Sequence, residues 1–135
     1  MDKDKKLKIF IIEDNKIFAL ILKSELENSF PEGTFVITIF ESGEDCEGMI
    51  YLKPDLAIVD YHLDSKIKNG MTGLDLIDMI RKRSPDTDFI MVTMDEKTEL
   101  FLRSKERGIH DYLIKCTNLP FKLSLSITSW LKFKH

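Results

Sequence analysis

An α/β fold, a doubly wound parallel sheet of five strands with helices on both faces, is predicted by three observations on this 135-residue chain. Short apolar runs alternate with longer segments of helical period, the pattern of repeated βα units. Several runs are almost continuously apolar, as strands covered on both faces must be. The composition, 43% apolar and 32% charged, fills one core and solvates one surface, so a single domain over residues 1–135 is expected. There are no internal repeats and no low-complexity segments.

The elements follow in order. Leu7 to Ile12 is the first strand, and Asn15 is placed to cap a helix carrying Phe18, Ile21, Leu22 and Leu26 on its inner side, stopped by Pro31 and Gly33. Thr34 to Phe40 alternates enough to be an edge strand. Gly43 to Tyr51 is a short helix bounded by Pro54. Leu56 to Asp60, the third strand, is the most buried in character. Gly73 to Arg83 forms a helix with Leu76, Ile77 and Ile80 inward, ending before Ser84-Pro85. Phe89 to Thr93 is the fourth strand, Glu96 to Arg107 the fourth helix with Gly108 at its end, and Ile109 to Ile114 the fifth strand. A last helix from Leu119 sets Leu123, Ile127, Trp130 and Leu131 at core-facing spacing.

Charge and cysteine usage exclude several classes. A net charge of -3 argues against a basic nucleic-acid footprint. The amino-terminal lysines alternate with Asp2 and Asp4 and read as a solvated terminus. No apolar run approaches the roughly 20 residues of a membrane span, so a cytoplasmic location is expected. Cys46 and Cys116 have no metal-binding spacing and are expected to be free, Cys116 as an inert buried thiol.

The chemistry concentrates at strand ends. Glu13, Asp14, Asp60, Thr93 and Lys115 each stand at the downstream end of an apolar run, the edge where open α/β sheets place their ligands. Any one of the acids is accounted for by a helix dipole. Three together repel one another unless a cation intervenes, and Mg2+ suits them because it tolerates carboxylates, waters and phosphate oxygens. Asp60 is then the candidate nucleophile toward phosphorus. Thr93 would supply a hydroxyl and Lys115 a fixed positive charge for the phosphoryl oxygens. Alone, each of these two is an ordinary strand residue; their joint placement gives them meaning.

Ile11-Ile12-Glu13-Asp14-Asn15, Leu56-Ala57-Ile58-Val59-Asp60-Tyr61-His62-Leu63, Gly70-Met71-Thr72-Gly73-Leu74-Asp75-Leu76, Met91-Val92-Thr93 and Gly108 to Lys115 together resemble the receiver domain of two-component response regulators. The resemblance covers nearly the whole chain in order. It implies a flavodoxin-like strand order 2-1-3-4-5 and phosphorylation of Asp60 by a sensor histidine kinase or phosphotransfer protein. Asp14, Asp60 and the main-chain carbonyl of His62 would hold magnesium, with Glu13 acting mostly through water. Thr93 and Tyr112 would switch a partner surface for an unassigned output partner, with room for a phosphorylation-dependent homodimer. Such a domain is a signalling module that acts on itself, not an enzyme with an external substrate.

Departures from that family pattern are specific. The Asp64 to Asn69 loop is longer than usual, so raised flexibility is expected there. Met94 stands where a small residue is usual and is expected to crowd the route to Asp60. Cys116 replaces a proline, so a trans peptide is expected. These differences keep open a degenerate receiver acting as a phosphate-independent interaction module. A third class, a small phosphatase or phosphotransferase with an aspartyl nucleophile, commonly wants an acid two residues after that nucleophile, where this chain has His62. No glycine-rich flavin or nucleotide loop follows the first strand.

Overall fold

The computed structural model describes residues 5–62 and 71–134. Five parallel strands, β1 (Leu7–Ile12), β2 (Phe35–Phe40), β3 (Leu56–Asp60), β4 (Asp88–Thr93) and β5 (Asp111–Ile114), lie in the order β2-β1-β3-β4-β5. Helices α1 (Lys16–Ser29), α2 (Gly43–Glu47), α3 (Gly73–Arg83), α4 (Thr98–Glu106) and α5 (Leu119–Lys134) connect and flank them. The Asp64 to Asn69 loop, expected to be flexible, lies outside the described residues.

Alternation along the strands divides the core into two layers. Phe10, Ile12, Ala57, Val59, Phe89 and Met91 pack with Leu74, Leu76, Ile77 and Ile80 of α3 and Leu100 of α4. Ile9, Ile11, Leu56, Ile58, Ile90 and Val92 pack on the other face with Leu22 and Leu26 of α1 and Leu123, Ile127 and Trp130 of α5. Every residue of β3 is buried, which fits its central place and its unbroken apolar sequence. The Trp130 indole donates to Asp88 Oδ2 at 2.7 Å, so α5 is anchored by both burial and a hydrogen bond.

Local signals set the helix boundaries. Asn15 Oδ1 accepts from Phe18 N at 2.9 Å and starts α1. Thr72 and Asp75 form a reciprocal capping box at α3, whose last turn carries Arg81, Lys82 and Arg83. Gly108, with φ of 68°, allows the turn after α4.

Several expectations are corrected. The helix expected over Gly43 to Tyr51 breaks at Gly48 into α2 and a 3-10 turn, Ile50–Leu52. Strand β2 starts at Phe35, because the Thr34 amide and hydroxyl both turn back to Pro31 O. Helix α4 starts at Thr98, because Asp95 Oδ1 takes the Lys97 amide in a preceding turn. Strand β4 gains Asp88, and β5 begins only at Asp111. On α1, Ile21 is 45% exposed whereas Ala19, Leu22 and Leu26 are buried; the inward stripe runs through Ala19, and Ile21 falls on its outer margin. Cys116 is exposed, not buried, since it lies in the loop beyond the end of β5. The described peptide bonds include no cis bond. Cys46 is buried, and desolvation pushes its thiol up to about 12.

Two truncations on α1 separate its faces. Leu22→Ala is expected to cost about 2–5 kcal/mol in a denaturant titration, and Ile21→Ala to stay within about 0.5 kcal/mol of the parent.

Candidate functional site

Parallel strand direction delivers the polar ends of β1, β3, β4 and β5 to one edge of the sheet. Asp60 is the last residue of β3, paired in register with Val92, and only 4% of its surface is exposed. Glu13 follows β1 and is 2% exposed; its amide donates to Phe40 O at 2.9 Å, which fixes the chain where it leaves the sheet. Carboxylate oxygens of Glu13, Asp14 and Asp60 lie within 4.8 Å of one another.

Lys115 meets this cluster from the end of β5. Its Nζ donates to Glu13 Oε1 at 2.6 Å and stands 3.4 Å from Asp60 Oδ2. The Lys115 amide donates to Thr93 O at 2.8 Å, tying the two strand ends together. One ammonium faces three carboxylates, so excess negative charge remains in a largely buried place. Burial first, and then the Asp60 carboxyl, push Glu13 above the ordinary carboxylate range against the pull of Lys115. Burial and the Glu13 carboxyl raise Asp14. Burial works against the charge on Lys115, yet the Glu13 and Asp60 carboxylates together hold its pKa above the ordinary value. A hard divalent cation fits this donor set because it neutralises what Lys115 leaves uncompensated.

The two Asp60 oxygens are used differently. Oδ1 accepts from the His62 amide at 3.2 Å, whereas Oδ2 faces Lys115. Gly73 lets the first turn of α3 press on the same strand end: a Cβ there would stand 2.8 Å from Tyr61 Cα and 2.9 Å from Asp60 O. Gly73 N also donates to Tyr61 O at 3.0 Å.

All five strand-end residues singled out in the sequence reach this edge. Thr93 is fully buried, and its Oγ1 accepts from the Asp95 amide at 3.0 Å. The Tyr112 hydroxyl donates to Asp95 O at 2.8 Å, and the ring meets Phe101 edge-on with centroids 5.4 Å apart. Met94, in the bend just past the end of β4, is 74% exposed.

Asp95 escaped the sequence reading. Its main chain joins Thr93 to Tyr112, and its carboxylate accepts from Lys97 N and stands 3.9 Å from His62 Nε2. Within Asp95-Glu96-Lys97 it reads as one more solvated charge, and no local spacing marks it out.

Comparisons with known proteins bear on the fold and the family. Residues 9–121 match the family model of the response regulator receiver domain. The chain is 29% identical over 133 residues to the probable C4-dicarboxylate response regulator DctR of Bacillus subtilis, covering 96% of this chain and 53% of that protein. It is 31% identical over 108 residues to the transcriptional regulatory protein CitT of Halalkalibacterium halodurans, covering 80% and 45%. The chain therefore spans about half the length of these curated relatives. Among solved structures, a CheY-like receiver domain protein from Methanospirillum hungatei superposes with a TM-score of 0.77 at 24% identity, over 95% of each chain. The signal receiver domain of a LuxO repressor protein from Vibrio parahaemolyticus gives 0.78 at 26% identity, over 95% of this chain and 92% of the other.

Raised carboxyl pKa values carry a definite stability sign. Glu13 and Asp14 bind protons more readily folded than unfolded, so their contribution is most favourable at acid pH and falls as pH rises through their elevated values. Asp14→Asn removes one of the repelling charges. In metal-free buffer it is expected to exceed the parent by on the order of 1 kcal/mol at neutral pH, with the difference vanishing toward acid pH. Thermal denaturation across pH, with and without Mg2+, checks this; the Mg2+-dependent rise in Tm should belong to the parent alone.

Proposed function

Because the chain belongs to the response regulator receiver domain family, we propose that it accepts a phosphoryl group on Asp60 in a magnesium-dependent reaction and thereby switches a partner-binding surface in two-component signalling. The observation that carries this reading is the buried Asp60 carboxylate, with one oxygen held by the His62 amide and the other 3.4 Å from the Lys115 ammonium. A carboxylate positioned and charge-compensated in this way is a competent oxygen nucleophile.

Asp60 Oδ2 attacks the phosphorus of a phosphohistidine on a sensor histidine kinase or phosphotransfer protein. The P–N bond breaks, the departing imidazole takes a proton, and an acyl phosphate remains on Asp60. Lys115 moves its charge toward the phosphoryl oxygens, and the Thr93 hydroxyl donates to one of them. Glu13, Asp14, Asp60 and the main-chain carbonyl of His62 would hold Mg2+, whose chemistry is to neutralise phosphoryl oxygens during transfer and hydrolysis. Every side chain this chemistry uses is present, so nothing favours a phosphate-independent module.

A donor protein has a landing surface beside the site. Ile17, Leu20 and Ile21 of α1 are exposed and line, with Pro120, a groove of about 490 Å³. Its first lining residue, Ile17, follows the acid pair by three residues, which supports this as the side from which a donor protein approaches. On the output side, Asp95 joins Thr93 to Tyr112 and to the turn that starts α4. A shift of Thr93 toward phosphate is therefore transmitted to Tyr112, Phe101 and the face of α4. We assign residues 1–135 to this one receiver unit in the cytoplasm, with room for a phosphorylation-dependent homodimer. No helix among the described residues is long and apolar enough to cross a membrane.

Incubation with acetyl phosphate and Mg2+, followed by intact mass measurement, tests the reading. The parent is expected to gain one base-labile phosphoryl group and Asp60→Asn none. Thr93→Ala should still gain it, while amide shifts around Tyr112 and α4 shrink severalfold. Undiminished phosphorylation of Asp60→Asn would move the nucleophile elsewhere.

A further inference from the structure

The start of α1 carries more than a cap beside the acid pair that precedes it. Glu13 Oε2 accepts from the Asn15 amide at 3.3 Å, Asn15 Oδ1 accepts from the Phe18 amide at 2.9 Å, and the Phe18 ring lies under Lys115 Nζ at 4.6 Å from its centroid. Phe18 is half-buried and packs against the α1–α5 core layer. An ammonium offers three donors. Glu13 at 2.6 Å and Asp60 at 3.4 Å occupy two directions, and the aromatic face covers a third flank. The Lys115 side chain keeps only 19% of its surface in solvent.

We infer that Phe18 is a positioning residue for phosphoryl transfer, holding the Lys115 ammonium over the Asp60 site while it exchanges a carboxylate partner for phosphoryl oxygens. The inference rests on the phosphorylation of Asp60 proposed above. When a phosphoryl group arrives, Lys115 must loosen its short bond to Glu13 and follow the new negative charge. A hydrogen-bonding third partner would resist that shift, because its strength depends steeply on angle. Attraction to a ring face is broad in angle and persists while the ammonium moves within about 6 Å of the centroid. Phe18 therefore restrains where Lys115 goes without competing for its protons.

Beryllofluoride, a phosphoryl mimic that binds receptive aspartates, provides the test in the full chain with Mg2+. Phe18→Leu keeps an apolar side chain and removes the ring; it is expected to weaken beryllofluoride binding by roughly threefold to tenfold. Phe18→Tyr should restore affinity to within about twofold, since it restores the ring. In a Lys115→Met background, Phe18→Leu should have no further effect, because the ammonium it acts on is gone. The Lys115 Hε protons should be shifted upfield in the parent and relax toward ordinary values in Phe18→Leu. Equal affinity of parent and Phe18→Leu, or the same loss in the Lys115→Met background, would overturn the inference while leaving Asp60 as the acceptor. Failure of the parent itself to bind beryllofluoride would overturn the reading of the Asp60 site, and the role of Phe18 with it.

Discussion

Two nearly buried carboxylates, Glu13 and Asp60, share a single ammonium, Lys115, at the edge of the sheet. Much of the structure can be understood as the arrangement that tolerates this. Buried charge is expensive unless paired, and a pair is worth little unless its geometry is held. The holding is done by main-chain bonds from neighbouring elements: Phe40 O to the Glu13 amide, Thr93 O to the Lys115 amide, and the His62 amide to Asp60. The resulting edge is stable enough to fold and still carries excess negative charge, which gives a divalent cation a reason to bind there.

The parallel sheet makes the convergence inexpensive. The strands β1, β3, β4 and β5 all end on the same side, so residues far apart in sequence, such as Glu13 and Lys115, meet without any long excursion of the chain. Both faces of β3 are sealed by the α3 and α1–α5 layers, which keeps water from the strand behind Asp60. At the front, Gly73 is the condition for α3 to close on the strand end, because any side chain there would collide with the Asp60-Tyr61 main chain. Asp95 then links the site to the surface of α4, through main-chain contacts to Thr93 and Tyr112.

The strands and the five strand-end residues were legible in the sequence because continuous apolar runs and a polar residue at the end of several of them leave a periodic trace. The resemblance to receiver domains added the order of the strands and the roles of the residues. What was missed leaves no such trace. The turn toward Tyr112 depends on main-chain atoms of Asp95, which any residue type would supply. The facing of Ile21 is decided by about one residue of helical phase, and Ala19, too small to stand out in a hydrophobic pattern, took the inner position. The break after α2 is closed by main-chain turn bonds, from Met49 N to Cys46 O and from Lys53 N to Ile50 O, which no side-chain pattern announces. Phe18 was legible only as a core residue, because its ring acts on a side chain 97 positions away, a distance no local pattern spans.

The energetic claim at the centre is that Lys115 compensates Glu13. It is tested most directly by a double-mutant cycle in metal-free buffer, measuring unfolding free energies of the parent, Glu13→Gln, Lys115→Met and the double variant. Lys115→Met should lose on the order of 2 kcal/mol, less than a fully buried pair because the lysine retains some solvent contact. Adding Glu13→Gln to it should recover much of that loss, since the stranded carboxylate is then neutral. Strictly additive effects of the two substitutions, or a Lys115→Met variant as stable as the parent, would contradict the account.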